Sequence, residues 1–449
     1  MDRRSFLAGA LGAAAATPAL AAVGAGGQPE LRGTIGGSDL AIDPNSQSSS
    51  LQGLLDAASA DNRQVFLPPG DFVVSELRLP PRTRLAGVPG ATRLVFGGGQ
   101  FMIAADRAEI VELAGITFDG GLLRIDEYVP GLVFLSDCSA VSIDNCTFIG
   151  SSSTGLALDR SEGRIARTTI RGAYGAGIRL IEARGMTIAD NIVDDCGNGG
   201  ILVHRWTAGE DGTIVTGNRV SNIAAKDGGA GYNGNGISVF RANSVIVANN
   251  RVTDCAFTAI RANSANNVQI TGNNCRGAGE VGIYSEFAFE GALIANNIVD
   301  GAATGIGVVN FAEGGRIAVV SGNIVRNLTG KGPHDANPQG FGTGILIEAD
   351  AAVTGNVVDG APLYGMGVGW GPHLRDVAVT GNVIRRAPVG IAVSVVDGTG
   401  AAVIADNIIS GADRGAVVGM HWAEPVTDDL ALTGAEGYPH LLVERNRVS

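Results

Sequence analysis

Arg261, Tyr284 and Glu286 are the residues of this 449-residue chain best suited to chemistry on a polar polymer. An arginine can neutralise a carboxylate in a planar fork, and a nearby Tyr, His or Lys can then remove the acidified C–H proton, as in elimination from a uronic-acid chain. Hydrolysis of a glycosidic bond instead requires two carboxylates across the bond, for which Glu286 with Asp227 or Asp159 are available. These residues form a group because of where they fall in a recurring pattern. Arg261 and Tyr284 each stand two residues after the first position of a Gly-Ile-x-Val motif, and Glu286 stands four after it.

That motif recurs as Gly177-Ile-Arg-Leu180, Gly200-Ile-Leu-Val203, Gly236-Ile-Ser-Val239, Ala259-Ile-Arg-Ala262 and Gly282-Ile-Tyr-Ser285, and continues to Gly415-Ala-Val-Val418. A second pattern alternates with it: apolar, x, small or polar, Asn, x, apolar. Its asparagines are Asn191, Asn218, Asn250, Asn273, Asn297, Asn323, Asn356, Asn382, Asn407 and Asn446, with Thr168, Cys146 and Ile116 in the same slot upstream. These thirteen slots are spaced about 27 residues apart. Short alternating strands with no helical periodicity between them, repeating at such a period, describe an all-β parallel β-helix of about 13 coils. At ~4.8 Å per coil the stack is ~60 Å long. The slot asparagines are expected to adopt left-handed turn conformations and to bond one another as an internal amide ladder, a structural role.

If Ile and Val of Gly-Ile-x-Val point inward, the residues at the second and fourth positions after glycine point out. The outward columns then carry Arg179, Ser238, Arg261 and Tyr284, and beside them His204, Phe240, Asn263 and Glu286. Insertions wall the same sheet: Lys226–Asn235, with Tyr232, and Gly330–Asn337 precede the motif, while His204–Asp211, Asn310-Phe311 and Trp370–His373 follow it. Loops on both sides of one sheet make a groove, and one with Arg, Glu and aromatic rings suits a sugar chain. Arg261, Tyr284, Glu286 and His204 are the catalytic candidates; Arg179, Ser238, Phe240, Asn263, Lys226 and Tyr232 are the candidate substrate contacts. No zinc spacing, nucleotide-binding glycine motif or nucleophile elbow is present, so neither metal nor cofactor is expected.

Composition agrees. Glycine numbers 68, aromatics are 5% and hydrophobic residues 45%, which suits short strands and tight turns and excludes a disordered chain. The net charge of −12 repels a polyphosphate partner, so no nucleic acid is expected. Five cysteines cannot all pair; Cys275 falls on an inward position and Cys196 and Cys255 lie two coils apart, too far for a bridge.

Met1-Asp2-Arg3-Arg4-Ser5-Phe6-Leu7, an uncharged Ala/Gly run and Ala19-Leu20-Ala21 resemble a twin-arginine export signal with its cleavage site. The expected organisation is a signal at 1–22, a linker at 23–45 and one β-helix domain at 46–449, with a capping helix at 46–60. Export by the twin-arginine machinery to the periplasm or the exterior follows, with no stable membrane span. The helix at Ser48–Ala58, the run Val65-Phe-Leu-Pro68-Pro69-Gly70-Asp-Phe72 and Leu77-Arg-Leu79 resemble the opening of the pectin-lyase-like superfamily, which includes pectate lyases, polygalacturonases, alginate epimerases and phage tailspikes. With the signal and the Asn repeats, the whole chain resembles the twin-arginine-translocated β-helix repeat proteins. The resemblance implies a right-handed parallel β-helix that acts on or binds a polysaccharide or oligosaccharide as a lyase, hydrolase or epimerase. A non-catalytic carbohydrate-binding or envelope structural protein is the alternative. Gly332-Pro333-His334-Asp335 departs from the epimerase Asp-Pro-His-Asp at its first residue and is read as chance. The last coil, Leu441 to Val448, is expected to be covered by residues 420–440, with His421 and Trp422, or to pair with a partner.

Overall fold

The computed structural model describes residues 31–35, 38–42, 47–229, 231–309, 316–334 and 340–449. The expected signal at 1–22 and the insertion residues Asn310, Phe311, Asp335 and Asn337 lie outside them.

Each coil supplies three short strands, and these stack into three sheets of 17, 15 and 15 strands. Sheet I holds strands that end just before the Asn slot, such as Val268–Thr271; sheet II those just after it, such as Asn274–Ala278; sheet III the Gly-Ile-x-Val strands, such as Val281–Glu286. The stack makes about 14 turns, more than the slots alone count, since the sheet II strands Gly70–Val74 and Thr92–Phe96 precede the first countable slot. Register follows the repeat: Tyr284 lies opposite Arg261 on one side and Gly307 on the other. The alternation also holds, since Ile178, Leu180, Ile201, Val203, Ile237, Val239 and Ile283 are buried in one continuous core. Glycine opens the motif because coils touch there: a Cβ on Gly236 would sit 2.4 Å from Val252 Cγ1 and 2.7 Å from the Ala259 carbonyl oxygen.

The slot asparagines form the internal ladder. Asn297, for example, donates its backbone N–H and its Nδ2 to Asn323 Oδ1 at 2.9 and 3.0 Å, and Nδ2 also reaches the Ile270 carbonyl at 2.9 Å. The row runs from Asn191 to Asn446 and continues upstream through Thr168, whose N–H donates to Asn191 Oδ1, and Cys146, whose N–H donates to Thr168 Oγ1. The left-handed conformation is one residue earlier than expected. It falls on Asp190, Asn249, Asn296 and Asp406, with φ between 57° and 58°. That residue makes the corner, which leaves the slot residue free to aim its amide along the stack.

The column three residues after the slot also stacks, as Arg276, Asp300, Arg326, Asp359 and Arg385 in successive coils. Arg326 bonds Asp300 at 2.9 Å, but Asp359 is taken by Arg386, one residue beyond the column, at 2.7 Å. Exposed pairs of this kind contribute only ~0.2–1 kcal/mol each.

Helix α1, Gln47–Ala60, caps the first coil with Leu51, Leu54, Leu55 and Ala58 buried against it. The stretch expected to be linker contains a hairpin instead. Leu31–Ile35 pairs antiparallel with Ser38–Ile42 and with Val65–Phe66, so it extends sheet I. At the other end, Glu424–Asp429 pairs antiparallel with Val417–His421, and α2, Leu430–Thr433, brings Leu430 and Ala435 into the core. His421 is exposed, and Trp422 stands against Trp370 (ring centroids 5.4 Å apart), so residues 430–435 cover the core end and His421 and Trp422 do not. All five cysteines are free and buried, and desolvation pushes the Cys146 thiol up to about 11 and those of Cys196 and Cys275 to about 12.

Candidate functional site

Four consecutive sheet III strands carry the site: Gly199–Glu210, Asn235–Asn243, Ile260–Asn263 and Val281–Glu286. The first is long because its pairing breaks after His204 and resumes at Gly209 opposite Ala242, which pushes Arg205–Ala208 outward as a bulge. The bulge is pinned: the Trp206 N–H donates to Glu182 Oε1 at 2.9 Å, and its carbonyl accepts from Arg241 Nη1 at 2.8 Å. Its indole is left standing into solvent, 69% exposed.

The opposite wall is the insertion before Asn235. The Asp227 N–H donates to Asn198 Oδ1 at 2.9 Å, while its carboxylate accepts from Tyr174 OH and from Asn198 Nδ2, each at 2.7 Å. Further along, the Gly231 carbonyl accepts from Arg261 Nη1 at 2.9 Å and Asn235 Nδ2 at 2.8 Å. Gly231 has φ +112° and its Cβ position would fall 2.0 Å from Arg261 Nη1, so the loop can lie on the guanidinium only because this residue has no side chain.

Between bulge and loop lies a cavity of about 570 Å³ whose lining includes His204, Trp206, Tyr232, Ser238, Phe240, Arg261, Asn263 and Phe287. Six of the ten residues singled out from the sequence therefore meet there. Tyr284 does not; it opens onto a smaller hollow of about 70 Å³ with Glu280, His334 and Phe341. Desolvation, then Glu286 and Glu280, push its phenol pKa strongly upward, so it is not set up as a base. Glu286 is 3% exposed and bound to Arg261. Arg179 reaches Asp159 at 3.4 Å, and the Lys226 ammonium lies 5.7 Å over the Tyr174 ring; neither lines the cavity.

Beneath the cavity is a buried polar cluster. Arg261 grips Glu286 Oε1 with Nε at 2.6 Å and Nη2 at 2.5 Å, has Glu280 3.7 Å from Nη1, and lies over the Tyr284 ring at 5.5 Å. Asn263 Nδ2 adds 2.7 Å to the same Glu286 oxygen, Thr258 Oγ1 donates to Glu280 at 2.8 Å, and His334 Nε2 lies 3.2 Å from Glu280. Burial raises the Glu286 pKa although Arg261 pulls against it. Glu280 and Thr258 escaped the sequence reading because they lie just before their strands, where the period-two alternation gives no direction. The second guanidinium at the cavity, Arg205, is likewise occupied, by Glu182 at 2.5 Å and Asp211 at 3.7 Å. Both cations are thus matched by carboxylates, and no carboxylate is itself in the lining. Asp227 and Asp159, the expected second acids, are engaged elsewhere, by Tyr174 and Asn198 and by Arg179.

His204 Nε2 lies 3.1 Å from Ser238 Oγ, with the Phe240 ring edge-on at 5.8 Å. Burial, and secondarily Arg179, push the imidazole down from 6.5 to about 4. The unfolded chain therefore takes up this proton first, and the stability held in neutral His204 is lost as pH falls from about 6.5 towards about 4. Urea unfolding at pH 7 and pH 4.5 should show that the stability advantage of the wild type over His204→Gln shrinks at the lower pH.

Among the described residues no cluster of three or more His, Cys, Asp or Glu side chains is placed to hold a metal, and no helix is long and apolar enough to cross a membrane.

No curated protein matches the chain. Solved structures similar to it include the N-terminal fragment of bacteriophage Phi29 gene product 12, at 14% identity and TM-score 0.53, covering 81% of this chain and 65% of that one. The chain thus spans just under two thirds of that fragment. Others are the A-module of mannuronan C-5 epimerase AlgE6 of Azotobacter vinelandii (15% identity, TM-score 0.48, 89% and 94% covered) and the surface adhesin PfbA of Streptococcus pneumoniae (14%, 0.49, 85% and 91%). The first shows a shared fold. The model for the right handed beta helix region matches residues 125–220 and 206–384, more than half of the sequence, and the chain belongs to that right-handed β-helix family.

Proposed function

We propose that the sheet III cavity binds a polysaccharide, and that the polymer is neutral rather than a uronate. The observation that carries this is an aromatic-walled cavity whose two guanidiniums are already paired. Trp206 and Tyr232 stand on facing walls, 69% and 75% exposed, with Phe287 at the rim, and such rings pack on the C–H faces of pyranoses. Large exposed rings on pinned backbone carry little ordering cost on binding. Arg261 held by Glu286 and Arg205 held by Glu182 have no uncompensated charge to offer a uronate, and the chain as a whole is anionic. Elimination from a uronate and two-carboxylate hydrolysis, both expected from the sequence, are disfavoured on the same grounds. The Arg3-Arg4 signal supports action in the periplasm or outside the cell, reached through the twin-arginine machinery.

Calorimetric titration with a panel of neutral and uronate oligosaccharides tests this. Neutral chains should bind with little salt dependence, and Trp206→Ala should weaken that binding at least about tenfold, which is ~1.4 kcal/mol. Tight, salt-sensitive binding of uronates alone, or neutral binding untouched by Trp206→Ala and Tyr232→Ala, would overturn it.

A further inference from the structure

We infer that Ser238 and His204 form a nucleophile–base pair that removes ester-linked acyl groups from the sugar chain. The choice of polymer rests on the preceding reading; the chemistry does not.

Ser238 faces the cavity from the strand Asn235–Asn243, and His204 reaches it from the neighbouring strand, one coil away. The register explains the reach. His204 is paired with Phe240 and Leu202 with Ser238, so the imidazole crosses diagonally to place Nε2 3.1 Å from Oγ. A serine hydroxyl bonded to an imidazole nitrogen is the geometry of an activated nucleophile. The Phe240 ring, packed edge-on, holds the imidazole plane. Burial keeps the imidazole neutral, with a lone pair for the proton, and the same burial makes it a weak base that passes the proton on readily to the leaving oxygen. On the far side of Ser238, its partner in the next coil is Arg261. Three of the five guanidinium N–H groups serve Glu286 and the Gly231 carbonyl and the second on Nη1 faces Glu280 at 3.7 Å, which leaves one on Nη2 for a carbonyl oxygen as it becomes negative. The cavity is mostly apolar and walled by rings, which suits an uncharged acyl ester.

Ser238 Oγ attacks the ester carbonyl carbon while its proton passes to His204 Nε2. The bond from that carbon to the sugar oxygen then breaks, and the sugar hydroxyl leaves with the proton from His204. Water attacks the resulting acyl-serine, giving up a proton to His204, which returns it to Ser238 Oγ as the carboxylic acid departs.

The test is active-site labelling of the full chain with a fluorophosphonate, located by intact mass and peptide mapping, alongside hydrolysis of p-nitrophenyl acetate. One adduct on Ser238 is expected, absent in Ser238→Ala, together with hydrolysis reduced about 100-fold or more in Ser238→Ala and His204→Gln. Ser238→Cys, which keeps a nucleophile, should be modified by iodoacetamide at residue 238 faster than the buried core thiols. Circular dichroism identifies any variant that fails to fold, and mapping of the wild type then decides alone. No adduct, an adduct elsewhere, or hydrolysis unchanged in a folded Ser238→Ala overturns the inference. Polymer binding is scored separately: binding without an adduct defeats this inference only, and an adduct without binding defeats the polysaccharide reading only.

Discussion

Asn297→Ala is expected to lower the unfolding free energy by about 3–6 kcal/mol, a large loss for one exposed-free amide in a stack of about 14 turns. The substitution removes four buried hydrogen bonds, one of them to Asn323 Oδ1, and leaves the Asn273 N–H without an acceptor. Asn273 loses the acceptor for its N–H (2.9 Å) and for its Nδ2 (3.0 Å), and the Ile270 carbonyl loses the donor at 2.9 Å. Asn297 is fully buried, so water does not replace these bonds: the unpaired N–H costs about 1–3 kcal/mol and each other lost bond about 0.5–1.5 kcal/mol. The same change at the last rung should matter far less. Asn446 is only partly buried, and water can replace its bonds to Asn407 and Ile404, so Asn446→Ala should lose no more than about 1 kcal/mol. Urea unfolding followed by circular dichroism measures both, and amide exchange at Asn273 and Asn297 reports whether loss is local to the interface between those coils, as nearest-neighbour coupling in a repeat stack requires. A central loss below about 1 kcal/mol would mean that the ladder is ornament and that core packing alone sets the register.

Arg261→Ala should be comparably damaging, at about 3–5 kcal/mol, because it leaves Glu286 buried without its cation. Asn263 remains as one donor, so Glu286 responds by holding its proton more tightly. Its folded pKa, already raised by burial, rises further. A carboxyl with a raised folded pKa is disfavoured as pH climbs, since the folded state must then either keep the proton or bury the charge. The penalty of Arg261→Ala should therefore be greatest above the folded pKa and fade as pH falls below the ordinary carboxylate range. Arg261→Met with Glu286→Leu should lose less than the two single changes summed, the mark of a coupled pair. Glu286→Gln separates charge from shape. It keeps the side chain's size but leaves the Arg261 charge balanced only by the more distant Glu280. This variant should gain salt-sensitive affinity for uronate oligosaccharides that the wild type lacks, measured with the same calorimetric panel. No gain would show that something other than the Glu286 pairing excludes uronates.

Much of the architecture was written in the period of the chain. A slot occupied by Asn every ~27 residues places like residues above one another, and strict alternation after each Gly-Ile decides which side chains enter the core. Ser238, Arg261, Tyr284 and, beside them, His204, Phe240, Asn263 and Glu286 could be set in columns from that arithmetic alone, and the sheet pairs them as such. The end-capping helix was legible for a similar reason, since Leu51, Leu54, Leu55 and Ala58 repeat at helical spacing. The hairpin at 31–42 was not, because short strands of mixed polarity have no period to read.

What the repeat could not convey is how neighbouring columns share their charges. Arg261 and Glu286 are both outward by alternation, yet they satisfy each other across a coil and close under the loop carrying Gly231, so Glu286 is not a free acid or base and Arg261 has no unpaired charge for a uronate. Tyr284 leans to the far side of Arg261, and Lys226 turns to Tyr174, because side-chain direction depends on which neighbours compete for each polar atom. Glu280 and Thr258 join from segments just before their strands and His334 from an inserted loop, where no alternation applies. Backbone periodicity is a local property and survives in one dimension. Pairing of buried charges is a contest among groups brought together from four coils and two inserted loops, and only the packed structure decides it.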